Sequence, residues 1–142
     1  FDDEFIGKVD VELRDYLEAM EAVKLKAALK AAMNVSALGN AYLQDNRLDN
    51  KLLVNDPRRC QTVIGVALNL CYLLSSMLAP FLPSTADDIC RILNAPPRTI
   101  PTSFTMDLLH GHHIGTPFHL FQRIDEQLVK ELRAKYGGKQ QQ

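Results

Sequence analysis

The stretch from Asp56 to Pro83 restricts the fold most, because it begins and ends on clear punctuation and is apolar for most of its length. Asp56-Pro57 supplies an N-cap followed by proline at the first helical position, where the missing N–H would have had no partner and the fixed φ suits the helix. Pro80 and Pro83 end it, so the pattern predicts one long helix running to about Leu78. Val63 to Leu82 is long enough to cross a bilayer, but Gly65, Asn69, Ser75, Ser76 and Pro80 interrupt it. It reads as a central core helix, not a membrane span. With 142 residues, 46% of them hydrophobic, the chain can bury one sizeable core and has little room for two.

Helical periodicity continues on either side. Asp2 to Val23 carries eight acidic residues against Lys8 and Arg14, with Phe5, Val9, Leu13, Tyr16, Leu17 and Met20 three or four apart. That spacing predicts an amphipathic helix with an acidic outer face. A second helix is expected from Lys24 to about Asn46, mostly buried, with one wet stripe of Lys26, Lys30, Asn34, Gln44 and Asp45. The wheel puts Asn40 on its buried side, beside Leu25, Leu29 and Leu43. Arg47 to Asn55 has no clean period and is expected to be a loop. Ser84 and Asp87 resemble a capping box opening a shorter helix to about Leu93, stopped by Asn94 and Pro96-Pro97. Ala95 to Gln122 is expected to be irregular, with a short hairpin around Gly111. Asp125 can cap a last helix, Glu126 to Tyr136, with Gly137 as its left-handed terminator. The resulting fold class is all-α, an antiparallel helical bundle spanning residues 1–136, followed by a flexible tail at 137–142. The opening on Phe1 rather than Met suggests a piece of a longer protein.

Net charge is −1 and the pI about 6.5, so the surface as a whole is not the basic footprint of a non-specific nucleic-acid binder, and any such site must be local. Cys60, Cys71 and Cys90 lie in apolar stretches without CxxC spacing, which suggests buried thiols in a reducing compartment. His110, His112, His113 and His119 cluster within ten residues, and a metal site is the sharper reading of them. The plainer reading, packed or surface imidazoles, wins, because no carboxylate or cysteine stands nearby at ligand spacing. No metal ligand is assigned.

The positive charges are more informative. Arg58 and Arg59 take the second and third positions of the long helix, where the helix dipole disfavours cations by a few tenths of a kcal/mol. They are either ordinary solvated arginines or contacts for phosphates. Just upstream, Asn40 to Lys51 is a helix end and loop crowded with amides, which can donate and accept hydrogen bonds and so read the base edges of unstacked RNA. Turn and capping chemistry is the plainer use of such a loop.

Four blocks then occur in a telling order. They are Gly39-Asn40-Ala41-Tyr42-Leu43-Gln44 before a polar loop, Leu78-Ala79-Pro80-Phe81-Leu82-Pro83 closing the long helix, Leu109-His110-Gly111-His112-His113-Ile114, and Leu120-Phe121-Gln122-Arg123-Ile124-Asp125. Their order and spacing over nearly the whole chain resemble the C-terminal anticodon-binding domain of eukaryotic cytosolic methionyl-tRNA synthetases. The resemblance implies a helical bundle of the class I anticodon-binding type that grips the CAU anticodon loop of methionine tRNAs in the cytoplasm. A separate catalytic domain of the same polypeptide, using ATP and magnesium, would perform the aminoacylation. It also implies anticodon contact at Gln44, Asn46, Arg47, Asp49, Asn50 and Lys51, and phosphate contact at Arg58 and Arg59.

Two departures from that family matter. Where many relatives carry a Pro-Trp pair whose tryptophan stacks on a base, this chain has Leu48 and Asp49, and it has no tryptophan at all. Stacking worth about 1 to 3 kcal/mol per base would have to be replaced by amide or cationic contacts. The family's preceding anticodon-touching helix would lie upstream of Phe1. His113-Ile114-Gly115 resembles the start of the HIGH signature, but no His follows and no KMSKS-like or glycine-rich phosphate loop is found. No catalytic or cofactor-binding residue is therefore assigned, and this piece is expected to be inactive alone. The alternative is a helical scaffold that docks a catalytic domain or a synthetase-associated protein through its acidic first helix and its last helix, with Leu128, Leu132 and Tyr136 in the contact.

Overall fold

Small residues decide which helices touch. The computed structural model describes residues 2–138 and places among them six helices: α1 (Asp2–Glu21), α2 (Leu25–Asp45), α3 (Asn50–Asn55), α4 (Pro57–Leu78), α5 (Pro83–Leu93) and α6 (Glu126–Tyr136), with no strand. The class is all-α, as the patterning predicts. Phe5, Val9, Leu13, Tyr16 and Ala19 of α1 pack with Ala28, Ala31, Ala32, Val35 and Tyr42 of α2 and with Val63, Val66, Leu70, Leu73 and Met77 of α4 in one core. A Cβ on Gly39 would collide with the Leu70 side chain, so glycine is what lets α2 and α4 cross there. Each large side chain so buried stabilises the fold by about 1.5–3 kcal/mol.

Hydrogen bonds give the helix directions. Asp2 meets Arg59 at the N-terminal ends of α1 and α4, while the Tyr16 hydroxyl donates to the Met77 carbonyl, 2.8 Å away, near their C-terminal ends. These two helices therefore run parallel. The last turn of α2 brings Tyr42 back to Asp2, so α2 is antiparallel to both. Asp56 and Asp125 cap α4 and α6, accepting from the backbone N–H of Arg59 at 3.0 Å and Leu128 at 2.7 Å. The segment after α5 contributes Phe104, which lies edge-on to Phe5 and donates its backbone N–H to Asp10. A smaller cluster of Tyr72, Ile89, Cys90 and Leu93 joins α4 to α5.

Several expectations are corrected. Part of the expected 47–55 loop is helix α3, because the Asp49 carboxylate accepts from Leu52 N–H and nucleates a turn. Only one side of α2 is buried; Leu25, Leu29, Met33 and Asn40 are exposed, since α1 and α4 cover the alanine-rich side alone. Ser84 opens no capping box: Pro83 is already helical, the cap position is Leu82, and no side chain caps it. Gly111 makes a turn with φ +88°, closed by His112 N–H to Leu109 O, without paired strands among the described residues. Gly137 is right-handed and the positive φ falls on Gly138 instead. Cys60 and Cys90 are buried but Cys71 is exposed. Of the expected tail, 139–142 lie outside the described residues.

Candidate nucleic-acid interface

The polar stretch between α2 and α4 is built on a reversal of the chain. Arg47 adopts a left-handed φ of +49°, and the N–H groups of Arg47 and Leu48 close back on the carbonyls of Gln44 and Leu43. That is the hydrogen-bond pattern of a Schellman terminator. Asp49 then caps α3, and Asp56 caps α4.

Beneath this reversal sits a network that the spacing of residues does not reveal. The Arg59 guanidinium donates to both carboxylate oxygens of Asp2, at 2.6 and 2.8 Å, and to Asn46 Oδ1, at 2.9 Å from Nε. Asn46 Nδ2 in turn donates to the Tyr42 carbonyl at 2.7 Å, and the Tyr42 hydroxyl to Asp2 at 2.8 Å. Hydrogen bonding from Arg59 holds the Asp2 carboxyl below the usual carboxylate range. Burial, and then the hydrogen bond to Asp2, push the Tyr42 phenol up to about 12. The first turn of α1, the last of α2 and the first of α4 are thereby locked into one frame.

Of the eight residues that the sequence nominates, Asn46, Asp49 and Arg59 are thus engaged in holding the backbone. Gln44, Arg47, Asn50, Lys51 and Arg58 are exposed, and among the described residues none of their side chains makes a hydrogen bond. An exposed set of two amides and three cations, mounted on a fixed frame, suits single-stranded RNA: cations for phosphates and amides for base edges. Sequence reasoning missed Asp2 and Tyr42, whose only signal was one of three acids opening an acidic helix and a tyrosine near the end of an apolar one. The four histidines gather no ligand set; among the described residues no group of three or more His, Cys, Asp or Glu is close enough to hold a metal ion.

A family model described as the anticodon binding domain of methionyl tRNA ligase matches residues 1–141. The chain belongs to this family. A probable cytoplasmic methionine–tRNA ligase of Schizosaccharomyces pombe is 48% identical over 135 residues, covering 95% of this chain and 17% of that protein. The cytoplasmic methionine–tRNA ligase of Saccharomyces cerevisiae is 40% identical over 138 residues, 97% of this chain and 18% of that protein. The human cytoplasmic one is 34% identical over 144 residues, 98% of this chain and 16% of that protein. The chain thus spans about 17% of the length of such a relative. The chain has no tryptophan, and the exposed side chains at its α2–α4 junction include the amides Gln44 and Asn50 and the cations Arg47, Lys51 and Arg58, with the carboxylates Asp45, Asp49 and Asp56 among them.

Proposed function

We propose that this chain recognises the CAU anticodon loop of methionine tRNAs through the α2–α4 junction, within a longer cytoplasmic methionine–tRNA ligase. Gln44, Asn50, Arg47 and Lys51 meet the bases and their phosphates, Arg58 meets a neighbouring phosphate, and Asn46, Asp49 and Arg59 hold the backbone that presents them. The observation that carries this reading is the Asp2–Arg59–Asn46–Tyr42 network, which costs the chain several polar groups and leaves an exposed, pre-set polar loop. Pre-organisation of this kind lowers the entropy that binding must overcome. Aminoacylation, with its ATP and magnesium, belongs in this reading to the catalytic domain of the same polypeptide; this chain contributes tRNA selection. The test is affinity for a stem-loop carrying CAU against one with the three bases permuted, across a salt series. A preference for CAU that persists with added salt and is lost in Gln44→Ala supports the proposal. Equal, weak binding of both loops contradicts it.

A second reading, a helical scaffold docking the catalytic domain or a synthetase-associated protein, is favoured by α6. None of its residues is buried, and Leu128, Val129, Leu132 and Tyr136 stand exposed along it. Both readings can hold in one molecule, with the junction facing RNA and α6 facing protein.

A further inference from the structure

Beside the junction runs a groove of about 470 Å³ between the outer face of α4, at Arg58, Gln61, Thr62 and Gly65, and the turn that carries Leu109 and His110. Its volume is that of a small-molecule site. No aspartate or glutamate lines it, although the chain has 17 of them. The wall opposite α4 is held from within. Asn69, only 2% exposed, accepts from the Leu108 N–H at 2.8 Å and donates to the carbonyls of Leu108 and Gly65. His112, which also lines the groove, has its Nε2 2.6 Å from the Leu93 carbonyl, and Asn94 donates to the His113 carbonyl at 3.1 Å. A buried amide spent on fixing a surface turn fixes the shape of the groove as well.

Gly65 supplies an independent observation. Glycine is the poorest helix former after proline, yet it stands in the middle of α4. Unlike Gly39, it is not required by packing: a Cβ there would meet nothing within 4 Å. Gly7 has the same freedom, but of the two it is Gly65 that lines this groove. What a side chain at position 65 would fill is the groove.

We propose that this groove binds one nucleotide of the single-stranded RNA held at the junction, with its base against His110 and the Gly65 floor and its phosphate at Arg58. Gln61 and Thr62 provide hydrogen bonds to the base edge, and the His110 ring offers a stacking surface beside a junction, residues 44–59, that has no aromatic side chain of its own. The inference rests on the reading that this chain binds an RNA loop, and it extends the contact from the loop onto the side of α4.

The experiment is an NMR titration of the ¹⁵N-labelled chain with the CAU stem-loop and, separately, with cytidine monophosphate, alongside affinities of Gly65→Met and His110→Ala for the stem-loop. With RNA, backbone amides of Gln61, Thr62, Gly65 and His110 should shift together with those of the junction. Each variant should bind about tenfold more weakly, with Gly65→Met melting no lower than the parent. RNA shifts confined to 44–51, with both variants binding like the parent, overturn the groove and leave the junction reading intact. Groove shifts with cytidine monophosphate but none with RNA also overturn it, as a free-nucleotide site. An RNA that shifts nothing overturns both.

Discussion

Tyr16 and Tyr136 both lie on amphipathic helices, yet the first is 2% exposed and the second 70%. Tyr16 is sealed between α1 and α4 and donates to a main-chain carbonyl, whereas the helix of Tyr136 keeps every residue exposed. Beyond Phe104 no described residue is buried. The contrast separates two sources of order. The α1–α2–α4 bundle is held by tertiary burial, which can support helices of any local propensity. Among the described residues helix α6 shows local devices: the Asp125 cap, a Gln127–Glu131 hydrogen bond, basic residues in its last turn and Lys135 over the Tyr136 ring. Eleven residues so supported are marginal in water. An amphipathic helix with an uncovered stripe is stable where something covers it, and the relatives are several times longer than this chain.

Core truncation gives the largest expected effect. Leu73, fully buried in α4, and Leu132, 45% exposed on α6, are the same residue type in the two regions. Leu73→Ala should cost about 2–5 kcal/mol in urea unfolding. Leu132→Ala should stay within about 0.5 kcal/mol. Similar destabilisation at both positions would mean that α6 packs on the bundle, and the division into two regions would fail.

The next effect is smaller and depends on pH. Asp2 has a lowered folded-state pKa, so it contributes stability that is present above the ordinary Asp value of about 3.9 and is lost as the pH falls through its folded value. Asp2→Asn should destabilise the chain by about 1 kcal/mol at pH 7, a modest figure because the pair with Arg59 is partly exposed. The difference from the parent should shrink as the pH is lowered below about 3.9. Denaturation midpoints at pH 7 and pH 3 check this; a gap that stays constant would show that the Asp2 charge does not hold the junction.

Much of the bundle was legible because its boundaries are set by local chemistry. Asp56-Pro57, Asn94 and Asp125 act within one turn, and each does in the structure what its type predicts. What escaped was decided by tertiary geometry. The wheel of α2 is apolar or small around most of its circumference, and only the position of α1 and α4 chooses the Ala28–Ala32–Gly39 side over Leu25, Leu29 and Met33. In hindsight the small side was the clue, since close helix packing selects alanine and glycine. The exposed cations and amides of the candidate interface were visible as a polar loop, but which of them were already engaged was not. Arg59 and Asp2 are 57 residues apart, and one carboxylate in an acidic helix carries no mark of its partner. Asn69 escaped for the same reason, its hydrogen bond with Leu108 spanning 39 residues.

The proposed RNA site at the α2–α4 junction has one rival on this chain, the basic end of α6 at Arg133 and Lys135. Two charge-matched double variants test it: Arg47→Ala with Lys51→Ala, and Arg133→Ala with Lys135→Ala, each titrated with the CAU stem-loop over a salt series. The junction pair should weaken affinity by at least about tenfold and lower the salt slope by about 1.4, at about 0.7 for each phosphate that a cation no longer neutralises on a single strand. The α6 pair should bind like the parent. If the α6 pair abolishes binding while the junction pair leaves both affinity and slope unchanged, the RNA lies elsewhere and the account is wrong.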